Sequence, residues 1–280
     1  MPFTWFAHQV PAIGVKLARP AWVDATALCV GSMIPDVMYS FNGYVGFDTH
    51  DWGPAMAYGI PFTLVVAVLI RFAAPVVANQ LPDLGDVRLR SFAVLSRRRP
   101  AWFVTVACAA LGIATHIALD SFTHSGRAGT RLLGYANDTV DIAGLHRTVA
   151  GVLQWIGHTA GSLAGAALVV HIGRRQLLDQ WYGPEAVDEA RRWGPSPSQR
   201  IVFWTVVAGG GLAGLVWGWS GGYMEEIQRS AVGLFAAAVA VAAVTRTGWR
   251  RSGRRSRRRS GADPEMTDFE PAHSWSSSRK

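Results

Sequence analysis

"AWFVTVACAALGIATHIALDSFTH", residues 101–124, decides the fold. Its first half is almost wholly apolar or small, and the stretch up to Asp120 has the roughly twenty residues that a helix needs to cross a hydrocarbon core about 30 Å thick. The end of the run is different, because it carries His116, Asp120 and His124 at i, i+4 and i+8. On a 3.6-residue helix each of these lies about 40° from the next, so the three share one face. Ionisable groups are expensive next to lipid unless they are paired or bind a cation. That face therefore turns inward and is the first candidate for chemistry.

The composition agrees with a membrane setting. Of 280 residues 50% are hydrophobic and 16% charged, and the mean hydropathy is +0.17. Cys29 and Cys108 both sit in apolar runs, which excludes a disulfide framework or a CxxC metal site. A net charge of +8 suggests nucleic acid until it is located: "RRSGRRSRRRS", residues 250–260, holds seven of the basic residues, and the remainder is nearly neutral. No nucleic-acid partner is expected. The expected partners are membrane lipids, with anionic headgroups at the C-terminal arginines.

Working outward from residues 101–120, four more segments are long enough to span: 54–72, 148–172, 201–219 and 230–247. Basic residues cluster in "VRLRSFAVLSRRRP", in "GRRQLL" and in the arginine tail, all on one side if the spans alternate. The positive-inside rule makes that side cytoplasmic. The loops 37–53, 121–147 and 220–229 then face outward in a multi-pass protein of the cell membrane. Most of the 12 Trp fall near segment ends, as an aromatic belt requires.

Residues 1–22 lack a basic region ahead of their apolar stretch and a small-residue cleavage site, so retention in the mature protein is expected. Residues 9–18 and 22–35 make only about 15 and 21 Å of helix, too short to span. Joined by "LARP" they are expected to form a re-entrant hairpin over 9–36, with Lys16 and Arg19 toward its tip. The two ends of a hairpin lie together, which brings His8 and Asp36 to the side of His50. The expected architecture is thus an all-α polytopic bundle of about five spans plus the hairpin, over 1–248, followed by a basic disordered tail at 249–280.

His8, Asp36, His50, His116 and Asp120 then gather imidazoles and carboxylates at one membrane face, with His124 further out. This donor set suits zinc, manganese or iron, and a divalent cation accounts for two acids near hydrocarbon. His124 and Asp51 are candidate proton carriers for a metal-activated water. Asp48 and Asp51 flank His50 and are placed to orient its ring. His158, mid-span with Gln154 one turn earlier, either lines the cavity or makes a helix-to-helix hydrogen bond, His146 and Arg147 fit an interface, and His171 falls at the opposite face. "AGGGLAGLVWG" has the small-xxx-small spacing of close helix packing.

In order and spacing, "MPFT" with His8, "GSMIPD" ending in Asp36, "THDWG" with His50 and "THIALDSFTH" resemble an uncharacterised bacterial integral membrane family, domain of unknown function 4184, over most of residues 1–175. More distantly they are similar to membrane-bound metal-dependent hydrolases related to zinc-dependent phospholipase C. That resemblance implies metal ligation by His8, Asp36, His50, His116 and Asp120, with zinc the expected ion. "PDVMY" lacks the second acid and histidine of the hydrolase stretch, which argues against a two- or three-metal centre. Two functional classes stay open on sequence. One is hydrolysis of a lipid-phase ester or phosphoester. The other is a scaffold, or an ion or solute carrier, using the same polar residues.

Overall fold

The computed structural model describes residues 4–97, 100–219 and 221–259. The chain opens with α1 (Thr4–Ala18), α2 (Ala25–Gly31) and the one-turn α3 (Ile34–Val37). The long α4 (Trp52–Gln80) is followed by a 3₁₀ helix, Leu89–Ser96, and by α5 (Trp102–Thr123). After α6 (Ala128–Leu132), an exposed antiparallel hairpin of β1 (Thr139–Ile142) and β2 (Leu145–Thr148) leads into α7 (Val149–Arg174). Two short helices, α8 (Leu177–Tyr182) and α9 (Pro184–Arg191), precede α10 (Pro197–Gly218) and α11 (Tyr223–Arg259).

Helices α4, α5, α7, α10 and α11 are each long and apolar enough to cross a bilayer, and each overlaps one of the five expected spans over almost all of that span's length. The fold is an all-α polytopic bundle. The basic stretch between the first two spans is structured: α4 continues to Gln80 and the 3₁₀ helix packs against it and α9. One expectation needs adjustment. At the other end α11 does not stop at Thr247 but runs to Arg259, so the expected disorder does not begin at 249. Residues 260–280 of the expected tail lie outside the described residues. By compactness the chain divides into 1–243 and 244–280, with α11 running through the division.

The helices of the first unit approach closely because glycines face one another's backbones. A Cβ at Gly112 of α5 would overlap the Leu28 carbonyl oxygen of α2, and one at Gly31 would meet the Ala109 carbonyl of α5. Gly161 and Gly165 of α7 face Ala7 and Phe6 of α1 in the same manner. The glycines of "AGGGLAGLVWG" also pack as expected, with Gly210 and Gly214 lying against Gly233 and Arg229 of α11. Without a hydrophobic force between helices in lipid, this proximity and a few polar contacts hold the bundle.

The short helices α1 and α2 form the expected hairpin, and its turn is pinned by a charge that the sequence reading passed over. Asp24 caps α2 by accepting from the Ala27 amide and also accepts from Thr105 Oγ1 at 2.8 Å and Arg71 at 2.5 Å. One buried carboxylate thus joins α2, α4 and α5 by charge-assisted bonds. The far ends of the hairpin, at His8 and Asp36, come together against the end of α5.

Candidate metal centre

The centre is built from α5 outward. Gly112 lets α2 lie against α5, and one turn later His116 Nδ1 donates to the Ser32 carbonyl at 2.8 Å. With Nδ1 committed, Nε2 of His116 presents a bare lone pair. His50 is constrained similarly. Thr49 Oγ1 donates to the Pro35 carbonyl at 3.1 Å, leaving its oxygen to accept from His50 Nδ1, also at 3.1 Å. The His50 amide donates to Asp48 Oδ1 at 2.8 Å, and Tyr39 stacks on the ring. Nε2 of His50 is therefore a second bare lone pair. The two Nε2 atoms face each other at 3.2 Å.

Two carboxylates close around them. Asp36 Oδ1 lies 3.4 Å from His50 Nε2 and 3.7 Å from His116 Nε2, and Asp120 Oδ2 lies 3.5 and 3.3 Å from the same atoms. Four donor atoms from these residues all fall within 4.8 Å of one another. With metal bonds of about 2.0–2.2 Å, the edges of a tetrahedral zinc site are about 3.3–3.6 Å. The five separations above cluster at that length. Asp36 Oδ2 and Asp120 Oδ1 are buried without a hydrogen-bond partner, so neither acid is balanced by donors alone. Two carboxylates and two neutral imidazoles carry two negative charges, which one divalent cation cancels. The group could hold such an ion.

The family model described as "Domain of unknown function (DUF4184)" covers residues 1–248. The chain belongs to the DUF4184 family. Neither the curated proteins nor the solved structures compared with it give a match. In this DUF4184 member the four buried residues that could hold a metal ion come from α3, the loop before α4, and α5.

The remaining candidates separate by position. His8 stands outside the four-atom group but touches it: its ring stacks on His116 with centroids 4.0 Å apart, and Nε2 is 3.6 Å from Asp120 Oδ1. His158 lies edge-on to His8 at 5.9 Å. The hydrogen bond between helices is made by Gln154 one turn earlier, whose Nε2 lies 2.9 Å from His124 Nε2. Along the face that opens the sequence analysis, side-chain exposure rises from 0% at His116 through 8% at Asp120 to 38% at His124. The centre is a well with His116 as its floor and His124 at its rim, 3.8 Å from Asp120 Oδ2. Asp51, 61% exposed, pairs instead with Arg127 at 3.0 Å. His171 sits at the far end of α7, near Arg174.

Arg127 belongs to no motif or spacing that would single it out from the sequence. It bridges Asp51 and Asp48, the latter at 2.7 Å, across loops 76 and 79 residues apart. Partial burial opposes ionisation of Asp48, but the His50 amide and the Arg127 guanidinium outweigh it and hold the carboxyl below its ordinary range. The loop that carries His50 is thereby tied to the turn after α5.

Proposed function

We propose that this protein is a membrane-embedded, metal-dependent hydrolase that binds zinc between Asp36, His50, His116 and Asp120, with His8 in support, and cleaves a lipid-phase ester or phosphoester. The observation that carries this reading is the pair of Nε2 atoms facing each other, their Nδ1 atoms engaged elsewhere, between two carboxylates. A divalent metal bound there lowers the pKa of a water toward neutrality and polarises an acyl or phosphoryl oxygen. The chain's own residues then position and shuttle protons. His116 and His50 are fixed in orientation by Ser32 and Thr49, and His124, between Asp120 and Gln154, is placed to pass a proton toward the medium. Asp51 is the weaker proton carrier, because Arg127 holds its carboxylate at the exposed rim.

The rival reading, a carrier, requires a polar column through the bundle. Beyond His8 and His158 the cavity beside α1 and α7 is mostly apolar, with Ile13, Val169 and Ile172 in its wall and Gln9, Lys16 and Thr26 as polar exceptions. That favours chemistry at one face over passage to the other.

Metal analysis of detergent-purified protein, followed by assay on a fluorogenic short-chain ester and phosphoester in micelles, tests the proposal. About one zinc per chain and chelator-sensitive turnover are expected. Stoichiometric metal with no turnover on either substrate class would refute the hydrolase while leaving the centre standing. We further propose that the centre faces outward, as loop charge suggests. In a background with Cys29 and Cys108 replaced by serine, Leu133→Cys should react with an impermeant thiol reagent in intact cells, and Leu84→Cys only after permeabilisation. Both positions are exposed, so the reverse pattern would sink this orientation.

A further inference from the structure

Asp36 and His50 stand at the two ends of one loop of thirteen intervening residues, so whatever fixes that loop fixes two of the four candidate ligands at once. Its middle is held from the far end of the chain by Arg229 of α11, which is 6% exposed. Arg229 Nε donates to the Ser40 carbonyl at 2.9 Å, one Nη to the Asn42 carbonyl at 3.0 Å and the other Nη to the Trp217 carbonyl of α10 at 3.2 Å. The guanidinium also lies 5.0 Å from the centre of the Trp217 ring and 5.8 Å from that of Tyr44, so the loop and α10 each present an aromatic face to one cation. Two more bonds join the same partners: Trp217 Nε1 donates to the Tyr44 hydroxyl, and Asn42 Nδ2 to Glu225 Oε1, both at 3.1 Å. A guanidinium this close to lipid is costly unless it is held by such groups.

The hold reaches both ligands. Ser40 lies one turn beyond Asp36, and Tyr39 beside it stacks on the His50 ring at 4.8 Å. At the other end of the loop Thr49 donates to the Pro35 carbonyl, next to Asp36, and so closes the loop on itself. A loop left free loses conformational entropy each time its ends are brought together, and holding it beforehand in the bound shape tightens binding. One planar fork meets the three carbonyls, which the single nitrogen of a lysine cannot reach together. We propose that Arg229 is a positioning residue: it fixes the Asp36–His50 loop against α10 and α11, so that the last two spans set the affinity of a centre whose four donors lie in other segments. The affinity part of this inference rests on the metal reading of the site, and the loop part does not.

Zinc affinity is read by competition with a chromogenic chelator in the detergent-solubilised full chain, and amide hydrogen exchange is read on the same protein after chelation. Arg229→Lys keeps the charge and loses the fork, and should bind zinc about tenfold more weakly than wild type, or worse. Its cobalt-loaded form should also differ from wild type in visible absorption, which reports the arrangement of the donors and not the stability of the fold. Arg191→Gln is the control. Arg191 joins Ser91 at 3.0 Å and Asp83 at 2.7 Å, where α9 meets the far end of α4 at Asn79, so its loss should lower the melting temperature and leave zinc affinity unchanged. In metal-free protein the amides of residues 40–50 should exchange faster in Arg229→Lys than in wild type, and those of residues 83–96 at the same rate.

Should Arg229→Lys fail to fold, Trp217→Leu, which removes one ring and the bond to Tyr44 but no donor of Arg229, should show both effects in weaker form. Zinc binding by the folded variant equal to that of wild type, or an equal loss in Arg191→Gln, overturns the proposal. If wild type binds no zinc, the metal reading of the site fails and the exchange rates decide the present inference: faster exchange across residues 40–50 upholds it, and unchanged exchange overturns it.

Discussion

Replacing His116 or Asp120 by alanine is expected to remove the bound divalent metal and to lower the melting temperature in detergent by on the order of 10 °C. His116 supplies the floor of the centre and Asp120 an oxygen 3.3 Å from its Nε2, and both come from one turn of α5. Asp36 and His50 arrive from different segments, so a shared ion ties α3, the loop before α4 and α5 together. Binding to the folded state alone stabilises by about 4 kcal/mol at a thousandfold excess over Kd, and for chains of this size each kcal/mol moves the midpoint by about 2–4 °C. The same substitutions would also cost stability if the residues only hydrogen-bonded one another, so the deciding comparison is melting with and without chelator. Wild type should lose the full increment on chelation, while His116→Ala and Asp120→Ala should be insensitive to it. His171→Ala, on the far turn of α7, should behave as wild type. Wild-type protein that carries no metal and melts identically with and without chelator would overturn the centre.

Periodicity and residue type were enough to place the spans and to pick out the four residues that could hold a metal ion. The i, i+4, i+8 spacing of His116, Asp120 and His124 depends only on helix geometry, and the structure preserves it as a gradient from floor to rim. The hairpin was legible because its two halves are too short to span, which left His8 and Asp36 no other place to go. What holds the rings was not legible. The partner of His116 is the backbone carbonyl of Ser32, and a carbonyl is present at every residue, so nothing in the letters marks this one. Arg127 meets Asp48 and Asp51 across more than seventy residues, a pairing that no local spacing encodes. Asp24 was passed over because a single acid between two short helices looks solvated. Only the fold shows Arg71 and Thr105 converging on it. The extension of α11 to Arg259 was missed for a different reason, since its arginines read as a solvated tail by composition although arginine is a good helix former.

A single methyl group one turn from His116, on a residue with no donor atom of its own, should disable the centre. Gly112 has no side chain to contribute, yet a Cβ there would overlap the Leu28 carbonyl and sit 2.8 Å from the Ser32 amide and 3.0 Å from the Gly31 carbonyl carbon. These are backbone atoms, so no rotamer change relieves the clash and α2 must move away from α5. Ser32 moves with α2, and its carbonyl is what holds His116 Nδ1. Gly112→Ala is therefore expected to destabilise the protein by about 1–3 kcal/mol, as overpacking does, and to weaken metal binding by about 10–100-fold, as loss of a partner behind a ligand does. The sign is informative, because alanine is intrinsically favoured over glycine inside a helix by about 1 kcal/mol and would stabilise α5 if packing were indifferent. Gly14→Ala supplies the reference: that glycine is exposed on α1 and its Cβ meets nothing within 4 Å, so the helical preference should show unopposed. Zinc affinity from competition with a chromogenic chelator, and melting of both variants in the same detergent, give the comparison. If Gly112→Ala binds metal as wild type does and melts no lower, then the close approach of α2 to α5 does not set the orientation of His116.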